Sequence, residues 1–297
     1  MNTTPDGSPP PTPSRAGEVR NPERLRLTLP DGKETAVYRH RPPGEPASPP
    51  VLYLHGIQSH PGWFFGSAAR LAARGHPVFQ VTRRGSGQAT SSRGDAPSAR
   101  QLLADVDAAV ALIRERTGAR RVAGVGVSWG GKLLAVWAIH HPELLTSATL
   151  VAPGIAALVD VSTATKLRVA AALLLRPTVR FDIPLNEPSL FTGNESMREF
   201  IVGDPLRLRK ATARFLYASR CLDRRLSRAR GGALRAPATL ILASRDRIID
   251  NEATRQAVNR LTDGEAEVVE IEGDHTLEFE PDPEPYHDAL ARGVSRS

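Results

Sequence analysis

A single cysteine, Cys221, stands in this sequence of 297 residues. One thiol excludes an internal disulfide, is too few for a cysteine-based zinc site, and fits a reducing compartment. Long apolar runs are also missing: no stretch reaches the about eighteen residues that a membrane-spanning helix needs, and Val169 to Leu175 is far too short. The opening MNTTPDGSPPPTPSRAGEVR has neither the charged start nor the apolar run of a secretory signal. The sequence therefore predicts a cytoplasmic protein with no integral membrane segment. Lysine is scarce. Of 39 basic residues only Lys33, Lys132, Lys166 and Lys210 are lysine, and the net charge is +7. Such a balance suits nucleic acid or acidic lipid. The arginines are nevertheless spread along the chain, with one local cluster, RRLSRARGGALR, at 224–235. No helix-turn-helix, RNA-recognition or zinc-finger pattern accompanies them, so they read as a solvated surface and not as a nucleic-acid contact.

What is present is ordinary for a globular protein: 40% hydrophobic and 24% charged residues, enough for a sizeable core. Residues 1–20, rich in Pro, Ser and Thr, read as a disordered tail. From residue 25 the chain alternates strands with helices. Arg24 to Leu29 and Ala36 to Arg41 flank Pro30-Asp31-Gly32 as a hairpin. Val51 to His55 and Pro77 to Thr82 read as buried strands, and Ser67 to Arg74 as a helix ended by Gly75. Leu102, Leu103, Val106, Ala109, Val110 and Ile113 recur at three and four, which predicts an amphipathic helix over 97–117 closed by Gly118. Strand Arg121 to Val127, helix Gly130 to His140 and strand Ser147 to Ala152 follow.

This rhythm implies an α/β fold, a mostly parallel sheet flanked by helices. It breaks at Pro153. Residues 154–236 read as helical or irregular, with no convincing strand, and are taken as a helical cap inserted into a core of 21–153 and 237–297. The rhythm resumes with strand Ala238 to Ala243, helix Asn251 to Leu261, strand Ala266 to Ile271 and a closing helix near Pro285 to Arg292.

Gly126-Val127-Ser128-Trp129-Gly130 fits G-x-S-x-G, with the buried strand VAGVGV running in and the helix GGKLLAVWAIHH running out. Strand, sharp turn and helix are the context of a nucleophile elbow, so Ser128 is the candidate nucleophile. A serine hydroxyl needs an imidazole to accept its proton. His275 follows the strand VVEIE, where open α/β sheets build their sites. His287, in the closing helix, is read as facing solvent. The imidazole needs a carboxylate to hold its tautomer. Asp246 follows the strand ATLILA, whereas Asp250 reads better as a helix N-cap. An oxyanion needs two N–H donors. The backbone of Trp129 supplies one, and Ile57, in the loop after VLYLHG, is the choice for the second, with Gln58 as runner-up. No metal or organic cofactor is implied.

With those residues in view, the sequence resembles the monoacylglycerol lipase and serine aminopeptidase-like branch of the α/β-hydrolases, often labelled lysophospholipase-like. The matching segments are HGIQSH (55–60), RRGSG (83–87), GVSWGG (126–131), DPL (204–206), SRDRIID (244–250) and GDHTLEFEPD (273–282). The resemblance implies the Ile57 and Trp129 oxyanion hole and a lid over an acyl pocket. It makes His60 a site-shaping, substrate-binding residue, and Gln58 is carried beside it. Two departures stand out. Thr82 occupies the place of a structural aspartate before the R-G-x-G turn. Trp129 replaces the common methionine after the serine and sets a bulky ring beside the site.

The expectation is a serine hydrolase cleaving acylglycerol, lysophospholipid-like or small acyl esters, with a small-molecule ester or lipid as its partner. A peptidase or acyltransferase using the same three residues is one alternative; the first would need an acidic cap group such as Asp182, Glu187, Glu195 or Glu199 to hold an amine. A ligand-binding protein on a hydrolase fold is another. Apolar cap residues with the arginines of 224–235 would suit peripheral contact with anionic membrane. Nothing in the sequence specifies an oligomeric state.

Overall fold

A computed structural model describes residues 22–88 and 92–296. The tail read at 1–20 lies outside them. β1 (Glu23–Thr28) and β2 (Glu34–His40) form the antiparallel hairpin, and β2 pairs antiparallel with β4 (Val78–Val81). From β4 onward the sheet is parallel through β3 (Val51–Leu54), β5 (Val122–Val127), β6 (Leu145–Val151), β9 (Ala238–Ala243) and β10 (Glu267–Ile271). The order across the sheet is β1-β2-β4-β3-β5-β6-β9-β10. This is the α/β-hydrolase arrangement.

Burial follows position. In β1 at the edge, Leu25 and Leu27 point inward while Arg24 and Arg26 stay exposed, the period of two expected of a half-covered strand. Central β5, VAGVGV, is buried at every residue because helices cover both faces. α3 (Trp129–His140) packs on β5 and β6, with α2 (Ala99–Thr117) beside it. α8 (Glu284–Ser295) packs on β5, β6, β9 and β10 and meets α1 (Phe65–Ala73). α2 begins where Ser98 Oγ accepts from Gln101 N and ends at Gly118, whose φ of 71° lets its N–H reach Arg114 O.

The segment between β6 and β9 carries α4 (Thr163–Leu175), α5 (Glu195–Gly203) and α6 (Ala213–Arg228). Two strands run through it where none was expected. β7 (Arg180–Asp182) and β8 (Lys210–Thr212) pair antiparallel in a sheet of their own. Three residues each are too few to show a period, so their sequence carries no signal. α6 buries Phe215, Ala218, Leu222 and Leu226 along one stripe and packs on α3 and α4. α4 buries nothing: Leu167, Leu174 and Leu175 are 67%, 88% and 81% exposed. Among the described residues no helix is long and apolar enough to cross a membrane.

Helix α8 corrects one reading of the sequence. His287, taken as facing solvent, is buried beside Tyr286, with Glu278 Oε2 at 3.8 Å. Asp250 does cap α7 (Asn251–Leu261), its Oδ1 accepting from Ala253 N at 2.9 Å.

Candidate active site

The carboxyl ends of the parallel strands bring the chemistry together, as the topology of an open α/β sheet favours. Ser128 ends β5 with φ 53° and ψ −120°, a left-handed conformation that side chains avoid unless the surroundings hold it. Here they do. Its N–H donates to Val151 O at 2.8 Å, and its carbonyl accepts from Gly131 N at 2.9 Å and Gly154 N at 2.8 Å. The turn also forces a close approach. A Cβ on Gly130 would lie 2.6 Å from His55 O, so only glycine fits between the elbow and the end of β3.

His275 lies in the loop after β10, with Nε2 at 2.9 Å from Ser128 Oγ and Nδ1 at 2.7 Å from Asp246 Oδ2. An ionised carboxylate only accepts, so Nδ1 carries the proton and the Nε2 lone pair faces the serine hydroxyl. Asp246, after β9, is held from its other side. Its Oδ1 accepts from Ile248 N at 2.8 Å and Ile249 N at 3.0 Å, and the side chain has no exposed surface. The imidazole is equally enclosed: the N–H of Thr276 donates to Phe191 O at 2.8 Å, and the Phe191 ring stands edge-on to His275. The three side chains thus form a relay able to draw a proton from Ser128 and keep the resulting imidazolium beside a fixed anion.

The loop after β3 runs against the elbow: a side chain on Gly56 would begin 3.4 Å from Ser128 Cβ. That contact is made by Gly56, the residue before Ile57, and Trp129 follows the serine directly; among the described residues no backbone carbonyl takes up the N–H of Ile57 or of Trp129. Two buried arginines grip this loop. Arg83 Nη2 donates to Ile57 O at 2.7 Å, and Arg207 Nε donates to Gln58 Oε1 at 2.9 Å. Gln58 is itself buried, and its carbonyl accepts from Leu208 N at 2.8 Å, so its side chain and backbone both tie the loop to the segment preceding β8.

The adjacent arginines differ sharply. Arg84 donates to both Asp105 and Asp31; burial works against its charge, but these hydrogen bonds outweigh it and hold its pKa above the ordinary arginine value. Arg83 has no ion pair among the described residues. Burial, aided by Arg93, pulls it down to about 9. Its guanidinium lies 5.0 Å from the centre of the Trp129 ring and 4.9 Å from that of Phe215, and these two rings stack on one another at 5.3 Å. Trp129 Nε1 donates to Ser219 Oγ at 2.9 Å, where Lys132 Nζ also donates before reaching Asp223 at 2.7 Å. The bulky ring after the serine is thus anchored to α6.

His60 is committed within the protein. Its Nδ1 accepts from Gly62 N at 3.1 Å, so Nε2 carries the proton donated to Asp204 Oδ2 at 3.0 Å. Trp63 Nε1 donates to the same oxygen at 2.7 Å. Burial pushes the Asp204 carboxyl up, yet these bonds and that from Leu206 N prevail and hold it below the usual carboxylate value. With both ring nitrogens taken inside the protein, His60 has neither left for a ligand. Arg83, Arg207 and Ser219 carry little signal in the sequence; the only trace of them is Arg83 in RRGSG and the DPL segment just before Arg207.

The chain matches the family described as serine aminopeptidase, S33, over residues 45–282. Among solved structures it is similar to a monoglyceride lipase from Saccharomyces cerevisiae, a soluble variant in complex with a substrate analogue, at 16% identity and TM-score 0.83, covering 96% of this chain and 98% of that one. A monoacylglycerol lipase from Paleococcus ferrophilus aligns at 19% identity and TM-score 0.76, over 87% of this chain and 98% of that one. A thermostable carboxyl esterase from Bacillus coagulans, in complex with glycerol, aligns at 13% identity and TM-score 0.73, over 93% and 99%.

Proposed function

We propose that this chain, which belongs to the serine aminopeptidase S33 family of α/β hydrolases, cleaves carboxylic esters through an acyl-enzyme on Ser128. One observation carries the reading: Ser128 Oγ, His275 and Asp246 stand in line, 2.9 Å and 2.7 Å apart, with a single tautomer that leaves Nε2 free to act as base. Ser128 Oγ attacks the ester carbonyl while His275 takes its proton. The tetrahedral oxyanion rests on the N–H groups of Ile57 and Trp129. His275 then protonates the leaving alcohol, and water, activated by the same imidazole, releases the acid. Residues 154–236 act as the cap over the acyl site. The lipases and esterase of similar fold act on the same bond type.

The surroundings favour an ester over a peptide amine. Asp182, Glu187, Glu195 and Glu199, the acidic groups that would hold an amino terminus, are all exposed. The buried charges beside Ile57 and Gln58 are the guanidiniums of Arg83 and Arg207. Positive charge buried at Arg83 with no carboxylate partner among the described residues disfavours an ammonium group beside it.

The test is covalent. A fluorophosphonate probe should label the parent and not Ser128→Ala, and only the parent should hydrolyse p-nitrophenyl esters. A folded parent that is neither labelled nor active overturns the reading, in favour of a binding protein on this fold.

A further inference from the structure

Buried polar groups in a folded protein are almost always hydrogen-bonded, and a cluster of exceptions calls for a partner. Such a cluster sits beside Ser128. Gln58 Nε2, Ser59 Oγ, and Arg83 Nε and Nη1 are all buried and have no partner among the described residues. They lie in the two loops at the carboxyl ends of β3 and β4, next to one another in the sheet. Ser59 Oγ faces the nucleophile across Gly56, where an added Cβ would stand 3.2 Å from that hydroxyl and 3.4 Å from Ser128 Cβ. Arg83 is 7% exposed and reaches the Ile57 carbonyl.

These open groups share one property: each donates. The guanidinium also brings a full positive charge that no carboxylate of the described chain neutralises, in contrast to Arg84 next to it. Burying such a charge unpaired is unfavourable, and what relieves it is a ligand bearing acceptors and one negative charge. A carboxylate has both, and arginine recognises it well. A phosphate dianion would leave a charge over.

We propose that Arg83, with Gln58 and Ser59, forms a carboxylate-binding subsite beside the nucleophile, and that the preferred substrates are esters carrying a second, anionic carboxylate, such as half-esters of short dicarboxylic acids. The assignment rests on the ester-hydrolase reading above. Its geometry sets a lower bound on the spacing. The guanidinium reaches the carbonyl of Ile57 through Nη2 at 2.7 Å and its open nitrogens lie beyond that contact, so the second anionic position stands at least one residue length, roughly three bonds, from the oxyanion. The carboxyl carbons of glutarate and adipate are further apart than that minimum.

The experiment compares monoethyl glutarate and monoethyl adipate with ethyl pentanoate and ethyl hexanoate, following acid release by the parent, Arg83→Gln and Arg83→Lys. The parent should favour the half-esters. Arg83→Gln also alters the hold on the Ile57 carbonyl, so both ester classes should slow, but the half-esters should lose about tenfold to a hundredfold more in kcat/KM than the neutral esters, the scale of one charge-assisted hydrogen bond. Arg83→Lys should keep part of the preference. A parent without preference, or an equal loss on both ester classes, overturns the subsite and leaves Arg83 a brace between Trp129 and Phe215.

A second measurement does not depend on turnover of ethyl esters or on the folding of a variant. Adipamic acid, an uncleaved analogue, should slow fluorophosphonate labelling of the parent at concentrations where hexanamide does not. Labelling without that selectivity overturns the subsite alone. No labelling at all overturns the hydrolase reading, and the subsite falls with it.

Discussion

Asp246 shows how much one residue decides. Its Oδ1 is held by two backbone N–H groups and its Oδ2 faces His275 Nδ1 at 2.7 Å. In Asp246→Asn the Oδ1 bonds can persist, but an amide N–H then faces Nδ1, which must surrender its proton to accept. The imidazole adopts the other tautomer, and Nε2 presents N–H to Ser128 instead of a lone pair. We expect kcat for ester hydrolysis to fall by about 10³–10⁴. The urea unfolding midpoint should barely move, and a collapse of stability in its place would show that the carboxylate mainly holds the loop. Residues of this kind were legible because their types and order, Ser128, Asp246 and His275, each sit just past a readable strand. Arg83 and Arg84 were not. Both are arginines after one strand, and what separates them is that Asp31 and Asp105, distant in sequence, fold onto the second only.

Elements repeat the contrast between long signals and short ones. α2 shows its apolar stripe over 19 residues with a cap at each end, and the structure keeps nearly those bounds. β7 and β8 hold together through their partners, Arg180 opposite Thr212 and Asp182 opposite Lys210, which no local pattern encodes. His287 fails for a related reason: it follows Tyr286 and precedes Leu290 on a helix whose stripe is wide enough to bury all three. The inserted segment also divides into parts that matter unequally for stability. His60→Ala removes the Nε2–H donor from the buried Asp204 carboxylate and should cost about 2–3 kcal/mol in urea unfolding. Hydrogen exchange over 204–212 should quicken with it. Leu174→Ser and Leu175→Ser on α4, where neither side chain is covered, should each stay within about 0.5 kcal/mol of the parent. If the α4 changes cost as much as His60→Ala, that face is packed in solution against something this single chain does not supply.

For the molecule as a whole, its buried histidines set its response to acid. His40, the last residue of β2, is buried against the Phe65 ring and hydrogen-bonded to Gln80 Oε1 at 2.9 Å, and burial pulls its pKa from 6.5 down to about 4. Burial, and then Arg83, pulls His55 well below the ordinary value, and burial lowers His76. Each is therefore neutral in the folded protein over a range where the unfolded chain takes up a proton. Because the unfolded state binds more protons there, stability must fall as pH drops from about 6.5 towards 4. His40 alone contributes a loss of roughly 3 kcal/mol across that window, since each tenfold difference in proton affinity between the two states is worth about 1.4 kcal/mol. Asp31, Asp95 and Asp204, whose carboxyls are held below the ordinary value, act only lower down, losing their contribution as pH falls through their folded pKa values. Urea midpoints at pH 7.5, 6, 5 and 4.5 should thus decline, with the slope softening at the acid end, where Glu280 and Asp105, whose carboxyls burial holds above the ordinary value, take up protons more readily in the folded state. His40→Gln, which keeps a donor for Gln80 and cannot be charged, should show a shallower decline than the parent. A flat stability between pH 7 and 5, or a parallel decline in the variant, would mean that these histidines gain protons without leaving the folded state.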